Sequence, residues 1–301
     1  MPVHIFTRLY DTLVQPIIDY GVAIWGQSEM SVINTVQNRA SRYFLGVGKY
    51  TPVAALRGDL GWSDPKHRQW MGVSRQWLRL CNMTDTRLNK QVFLWAHTQA
   101  QQRKKNWVFR AQRFYRDLGM ANLLDVNSGF NVRSELKEVD MLLSHKCVQD
   151  WHDVLGREGA RRGGGRNKLR TYRTFKNVYA VEPYVKCKLS RRHRRALAQF
   201  RAGVAPIRIE TGRYEGLPEE QRLCPHCSDV VESEFHVILK CTLYNEIRES
   251  LFRTVSDRNH NFVTMDDESK FGFLLSSGDV CGHVARALYD ILEKRLRYVY
   301  T

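Results

Sequence analysis

Apolar residues return every three to four positions through most of this 301-residue chain, the period of helices that bury one face. Ile5, Leu9, Leu13, Ile17 and Gly21 mark a first helix over residues 4–25, and Pro16 inside it predicts a break or kink. Ser31 is placed to cap a helix carrying Val32, Val36 and Ala40 inward, with Gly46 and Gly48 ending it. Thr51-Pro52 reads as a cap and first-turn proline for a short helix through Leu56. Asp64-Pro65 does the same for a longer helix with a Trp70, Val73, Trp77 and Leu80 stripe. Arg57-Gly-Asp59 then falls in a loop between helices, and an adhesion role is not expected of it. Leu88, Val92, Trp95 and Gln99 form the next stripe, then Val108, Ala111, Tyr115 and Leu118 before Gly119. Both are expected to be core.

Ser134 opens another helix reaching about Leu155. The run from Gly159 to Arg166 contains three consecutive glycines, which hold no regular element, so it reads as a flexible basic linker and a domain boundary. It lacks the Gly-Lys-Ser/Thr and the preceding apolar strand of a phosphate-cradling loop. Beyond it, Tyr172, Phe175 and Tyr179 recur at helical spacing. Ser190 is placed to cap a helix with Ala196, Leu197 and Phe200 inward and Arg191, Arg194, Arg195 and Arg201 on its exposed surface. Helix continues over 244–252, and Val284, Leu288, Ile291, Leu292 and Leu296 outline a final amphipathic helix.

Charge changes this picture in one place. The net value is +16, and residues 161–213 alone hold 16 Lys and Arg against two acids, Glu182 and Glu210. A surplus that local creates a positive field that favours phosphate. The candidate contacts to nucleic acid are Arg161, Arg162, Arg166, Lys168, Arg170, Arg173, Lys176, Arg191, Arg192, Arg194, Arg195 and Arg201. The arginines that open the 190–201 helix oppose its dipole and cost stability, which points to a purpose other than folding.

The run 224–241 carries the clearest chemistry. Cys224 and Cys227 stand as Cys-x2-Cys, His236 follows, then Cys241. Two thiolates from one turn, with a His and a Cys about one helical turn apart, can close a tetrahedron around one structural Zn²⁺ with no ligand position left open. His226, inside the turn, is expected to point away. Cys81, Cys147, Cys187 and Cys281 are scattered singly, the usage of a reducing compartment. The first residues lack the charged-then-apolar order of a signal peptide, and no run approaches a membrane span. The expectation is an intracellular protein of nucleus or cytoplasm with no membrane partner.

The segment from Tyr10 to Gly26, YDTLVQPIIDYGVAIWG, resembles the thumb that follows the palm in reverse transcriptases of non-LTR (LINE-type) retrotransposons, and Ile33 to Asn38 is similar to its continuation. Asn167 to Arg173, Gly203 to Tyr214 and the Cys/His run resemble the C-terminal tails of the same polyproteins. The resemblance implies a Cys-Cys-His-Cys zinc motif on Cys224, Cys227, His236 and Cys241, with residues 80–130 its weakest stretch.

The expected fold is mainly α: a thumb-like helical segment over 1–62, a helical connector over 63–158, the Gly/Arg linker 159–167, a basic helical segment over 168–213, a CCHC zinc module over 214–256 and a helical tail over 257–301. The family's polymerase needs palm aspartates that hold two Mg²⁺ ions, and the chain starts after that point. Thr264-Met265-Asp266-Asp267 is similar to a retroviral polymerase motif but lacks its aromatic and reads as an acidic helix start. Residues 242–301 contain no proline, against the Pro-Asp of a restriction-like nuclease. The chain is thus expected to be no enzyme and to bind RNA or DNA by the phosphate backbone, beside possible remaining polyprotein domains. A protein-interaction scaffold, an inactive mobile-element reading frame and a nuclease are the alternatives.

Overall fold

The computed structural model describes residues 1–28, 30–160 and 168–300, and every regular element among them is helical. Sixteen α-helices follow one another: α1 (Val3–Leu9), α2 (Gln15–Asp19), α3 (Val22–Trp25), α4 (Ser31–Leu45), α5 (Val53–Leu60), α6 (Pro65–Cys81), α7 (Leu88–Gln101), α8 (Trp107–Asp117), α9 (Val132–Ala160), α10 (Tyr172–Phe175), α11 (Pro183–Lys186), α12 (Arg191–Arg201), α13 (Arg208–Tyr214), α14 (Asn245–Arg258), α15 (Asp267–Ser276) and α16 (Cys281–Tyr300). Pro16 acts as expected: a π-turn over Tyr10–Val14 precedes it, and the chain breaks again at Gly21, whose φ of 68° favours a residue without Cβ.

Several starts follow from their caps. Asp64 accepts a hydrogen bond from the Lys66 N–H at 2.9 Å and Ser190 one from the His193 N–H at 3.4 Å. Thr51 is not a cap; its hydroxyl donates to the Gly48 carbonyl, and Pro52 precedes α5.

The chain packs as two units. One comprises Met1–Thr7, Asn38–Trp62 and Trp151–Thr301; the other comprises Arg8–Gln37 and Ser63–Asp150. These units are drawn differently from the consecutive segments 1–62 and 63–158 expected from the helical pattern, the linker and the resemblance. The reason is in the core: Phe44, Leu45, Val47, Leu56 and Leu60 share one apolar cluster with Leu197, Phe200, Val284, Leu288 and Ile291. Within this unit α12 packs along α16, which also receives α14 and α15. The other unit is centred on Trp77, which is fully buried with Phe93, Trp107 and Tyr115 around its ring and donates to the Leu123 carbonyl at 3.0 Å.

Three expectations are corrected. The stripe of α7 faces outward: Leu88, Val92 and Trp95 are exposed, Trp95 by 65%, while Lys90 and Phe93 are buried. Lys90 sets this register by donating to the carbonyls of Cys81, at the end of α6, and Val126, acceptors that burial would otherwise leave unpaired. Arg57-Gly-Asp59 lies inside α5, with Gly58 and Asp59 buried. Tyr172 and Phe175 occupy a single turn, α10, and Tyr179 lies beyond it.

Candidate metal centre

Residues 222–241 form a hairpin followed by a short helical turn. Leu223 and Val231 pair as an antiparallel bridge, with Cys224 N–H donating to the Val230 carbonyl at 2.8 Å and Glu232 N–H to Arg222 at 2.9 Å. Ser228 takes a φ of 65° and its N–H returns to the Cys224 carbonyl at 2.8 Å, which folds Cys224 and Cys227 to one side of the turn. Ser233 Oγ accepts from the His236 N–H at 3.1 Å and opens the π-turn His236–Lys240, after which the chain leaves the helix at Cys241.

The ligand atoms of Cys224, Cys227, His236 and Cys241 all lie within 4.8 Å of one another, so the group could hold a metal ion. Cys241 Sγ is 3.8 Å from the Sγ of both Cys224 and Cys227. His236 Nε2 is buried with no hydrogen-bond partner, a cost that a bound cation would remove. His226 stays out of the group: its Nε2 is 3.1 Å from the Thr242 hydroxyl and its ring meets the edge of Tyr298. Burial pushes the Cys224 thiol up, and the Cys241 thiol up to about 12, while burial lowers His236 toward the neutral imidazole. Only a nearby positive charge would turn these thiols into thiolates.

A buried ion pair and a second buried arginine brace the hairpin, and no local sequence pattern signals either. Glu232 accepts from Arg295 of α16 through both oxygens at 2.7 Å and from the Arg208 N–H. Arg248 of α14 donates to the carbonyls of Ile238 and Cys241. Cys224 and Cys241 belong to the same apolar core as α12 and α16.

The basic residues expected to contact nucleic acid divide into four groups. Arg161, Arg162 and Arg166 lie outside the described residues. Arg201, Lys176, Arg194 and Arg170 are drawn inward, which corrects the expected exposed surface. Arg201 has 0% exposure and pairs with Asp59 and Glu182; Lys176 pairs with Glu182; Arg194 donates to the Phe44 carbonyl; Arg170 pairs with Glu234 at 2.6 Å. Burial alone would lower the Arg201 pKa, but Asp59 and Glu182 hold it above the ordinary value. Lys168 is half-buried against Glu210, and Arg173 is half-buried. Arg191, Arg192 and Arg195 remain exposed, and among the described residues none of the three meets a carboxylate.

Among the described residues, Asp266 and Asp267 belong to no cluster of three or more metal-ligating side chains. Asp266 caps α15, accepting from the Ser269 N–H at 2.7 Å, and Asp267 pairs with Lys240. No helix is long and apolar enough to cross a membrane among the described residues. Compared with known proteins, the chain matches no family model, no curated protein and no solved structure.

Proposed function

We propose that this chain is a non-catalytic nucleic-acid-binding part of a LINE-type reverse transcriptase polyprotein, held in shape by one structural Zn²⁺. The metal reading rests on the sulfur geometry. Bonds of about 2.3 Å in a tetrahedron separate two sulfurs by about 3.8 Å, which is the spacing of Cys241 from both other cysteines. Three thiolates and one imidazole are a closed donor set, suited to holding the hairpin and not to activating water. Cys224, Cys227, Cys241 and the orphaned His236 Nε2 would hold the ion.

The nucleic-acid reading is carried by the arginines at the start of α12. Folding pairs Arg194 and Arg201 with internal partners but leaves Arg191, Arg192 and Arg195 in solvent. Three exposed cations without a carboxylate partner, close together at the start of one helix, suit a phosphate backbone of any sequence. The test is anisotropy of labelled RNA and DNA oligonucleotides against salt. Log affinity is expected to fall by about 0.7–0.9 per phosphate contact for each unit of log salt. Reversing Arg191, Arg192 and Arg195 to Glu should weaken every sequence alike.

A scaffold role has one observation in its favour: Leu296, Tyr298 and Val299 of α16 are exposed. It predicts partner binding that neither salt nor these charge reversals affect.

A further inference from the structure

We infer that the first unit selects single-stranded nucleic acid through a strip of exposed tyrosines, Tyr43, Tyr50 and Tyr214, set among cations. The inference rests on the nucleic-acid reading above and names the form of the ligand. Each residue keeps most of its surface in water, 62% for Tyr43, 60% for Tyr50 and 67% for Tyr214. Single exposed tyrosines are ordinary on protein surfaces; here Tyr43 and Tyr50 are partnered by positive charge, and Tyr214 stands beside Tyr50.

The strip is built by the end of α4 lying against α12. Gly46, at φ 75°, approaches Arg195 so closely that a Cβ would lie 3.1 Å from the Arg195 Cβ. Arg194 fastens the same place from inside by donating to the Phe44 carbonyl at 3.1 Å. Tyr43 therefore stands beside α12, with the Arg191 guanidinium 5.0 Å from its ring centre. Arg39 is exposed one turn earlier on α4.

The chain then turns to Lys49 and Tyr50, with Lys49 Nζ 4.8 Å from the Tyr50 ring centre. Lys168 donates to the Tyr50 carbonyl at 3.2 Å and lies 5.6 Å from its ring. Tyr214 follows, its ring centre 6.4 Å from that of Tyr50 and its hydroxyl donating to Glu210 at 3.3 Å. The acids at this place are already committed: Glu210 is buried against Lys168 and Arg213, and Glu215 pairs with Arg208.

Phosphate needs only the cations; the rings add something that a duplex cannot use. In a duplex the base faces are stacked on one another, whereas a single strand offers each face to an aromatic side chain. Stacking is indifferent to sequence because every base has a π-face, in keeping with backbone binding by Arg191 and Arg195. Cationic groups over the same rings add affinity for the anionic strand.

The experiment uses the full chain with fluorescein-labelled 12-nucleotide single strands of mixed sequence, one RNA and one DNA, and the 12-base-pair DNA duplex. The wild type should prefer either single strand. Tyr43→Leu, Tyr50→Leu and Tyr214→Leu should each lower single-strand affinity about fivefold or more and leave duplex affinity unchanged. The Tyr→Phe variants, which keep the ring and lose the hydroxyl, should bind as the wild type does; equal melting temperatures for all variants would exclude a folding defect. Equal wild-type affinity for strand and duplex, or Leu variants that bind single strands normally, would overturn the strip and leave the phosphate reading standing. Binding to none of the three probes would overturn both.

Discussion

Arg201 and Asp59, 142 residues apart in the chain, share two hydrogen bonds, Nη2 to Oδ1 at 2.8 Å and Nε to Oδ2 at 3.2 Å, with no solvent reaching the arginine. Glu182 meets the same Nη2 at 2.7 Å, Nη1 donates to the Leu275 carbonyl, and the hydroxyls of Tyr172 and Tyr184 donate to Asp59. An arginine that composition assigns to a phosphate-binding surface is therefore a structural cation, tying α5, α11 and α12 into one unit.

Removing it leaves Asp59 buried without its counter-charge and Glu182 with Lys176 alone. Arg201→Ala should cost about 3–5 kcal/mol of stability, read as a lower urea midpoint. Arg195→Ala, on the exposed face of the same helix, should stay within about 0.5 kcal/mol of the wild type. Similar losses for both would contradict the division of α12 into an internal and an external face.

The outward register of α7 has a direct test. Trp77→Ala should cost about 3–5 kcal/mol, as for other large core aromatics, because Trp77 has no exposure. Trp95→Ala should change stability by less than about 0.5 kcal/mol. A Trp95 loss as large as that of Trp77 would restore the Leu88, Val92 and Trp95 stripe to the core.

Catalytic inactivity can be examined with primer, template, nucleotides and Mg²⁺. Two-metal chemistry needs carboxylates from separate segments around ions about 4 Å apart. The Asp266 carboxylate caps α15 and Asp267 faces Lys240. Neither extension of the primer nor cutting of the template is expected, and Asp266→Asn should only loosen the start of α15. Extension that Asp266→Asn abolishes would overturn both the cap assignment and the proposed function.

What the sequence revealed and what it hid follow from distance along the chain. Cys224, Cys227, His236 and Cys241 lie within one short run whose turns set their geometry locally, so their convergence was legible. The caps Asp64, Ser190 and Asp266 were legible for the same reason, since each acts two or three residues onward. Arg201 was misread because its partner Asp59 is remote and charge alone does not say which arginines find acids. The α7 stripe was misread because Lys90 counts as polar in any periodic pattern, yet its amine meets two carbonyls inside the fold. Tyr50 and Tyr214 are remote in sequence and meet only in the fold, where Glu210 anchors the second ring, while Tyr43 is set beside Arg191 of α12.

The central claim, a zinc ion that folds the 214–256 region, is tested most directly by metal analysis of freshly purified, reduced protein. The account predicts one Zn²⁺ per chain, lost in Cys227→Ala. Structural zinc contributes on the order of 10 kcal/mol to small modules, so chelation should also expose residues 214–256 to protease. Zinc near zero in the wild type, or full zinc retained in Cys227→Ala, would contradict it.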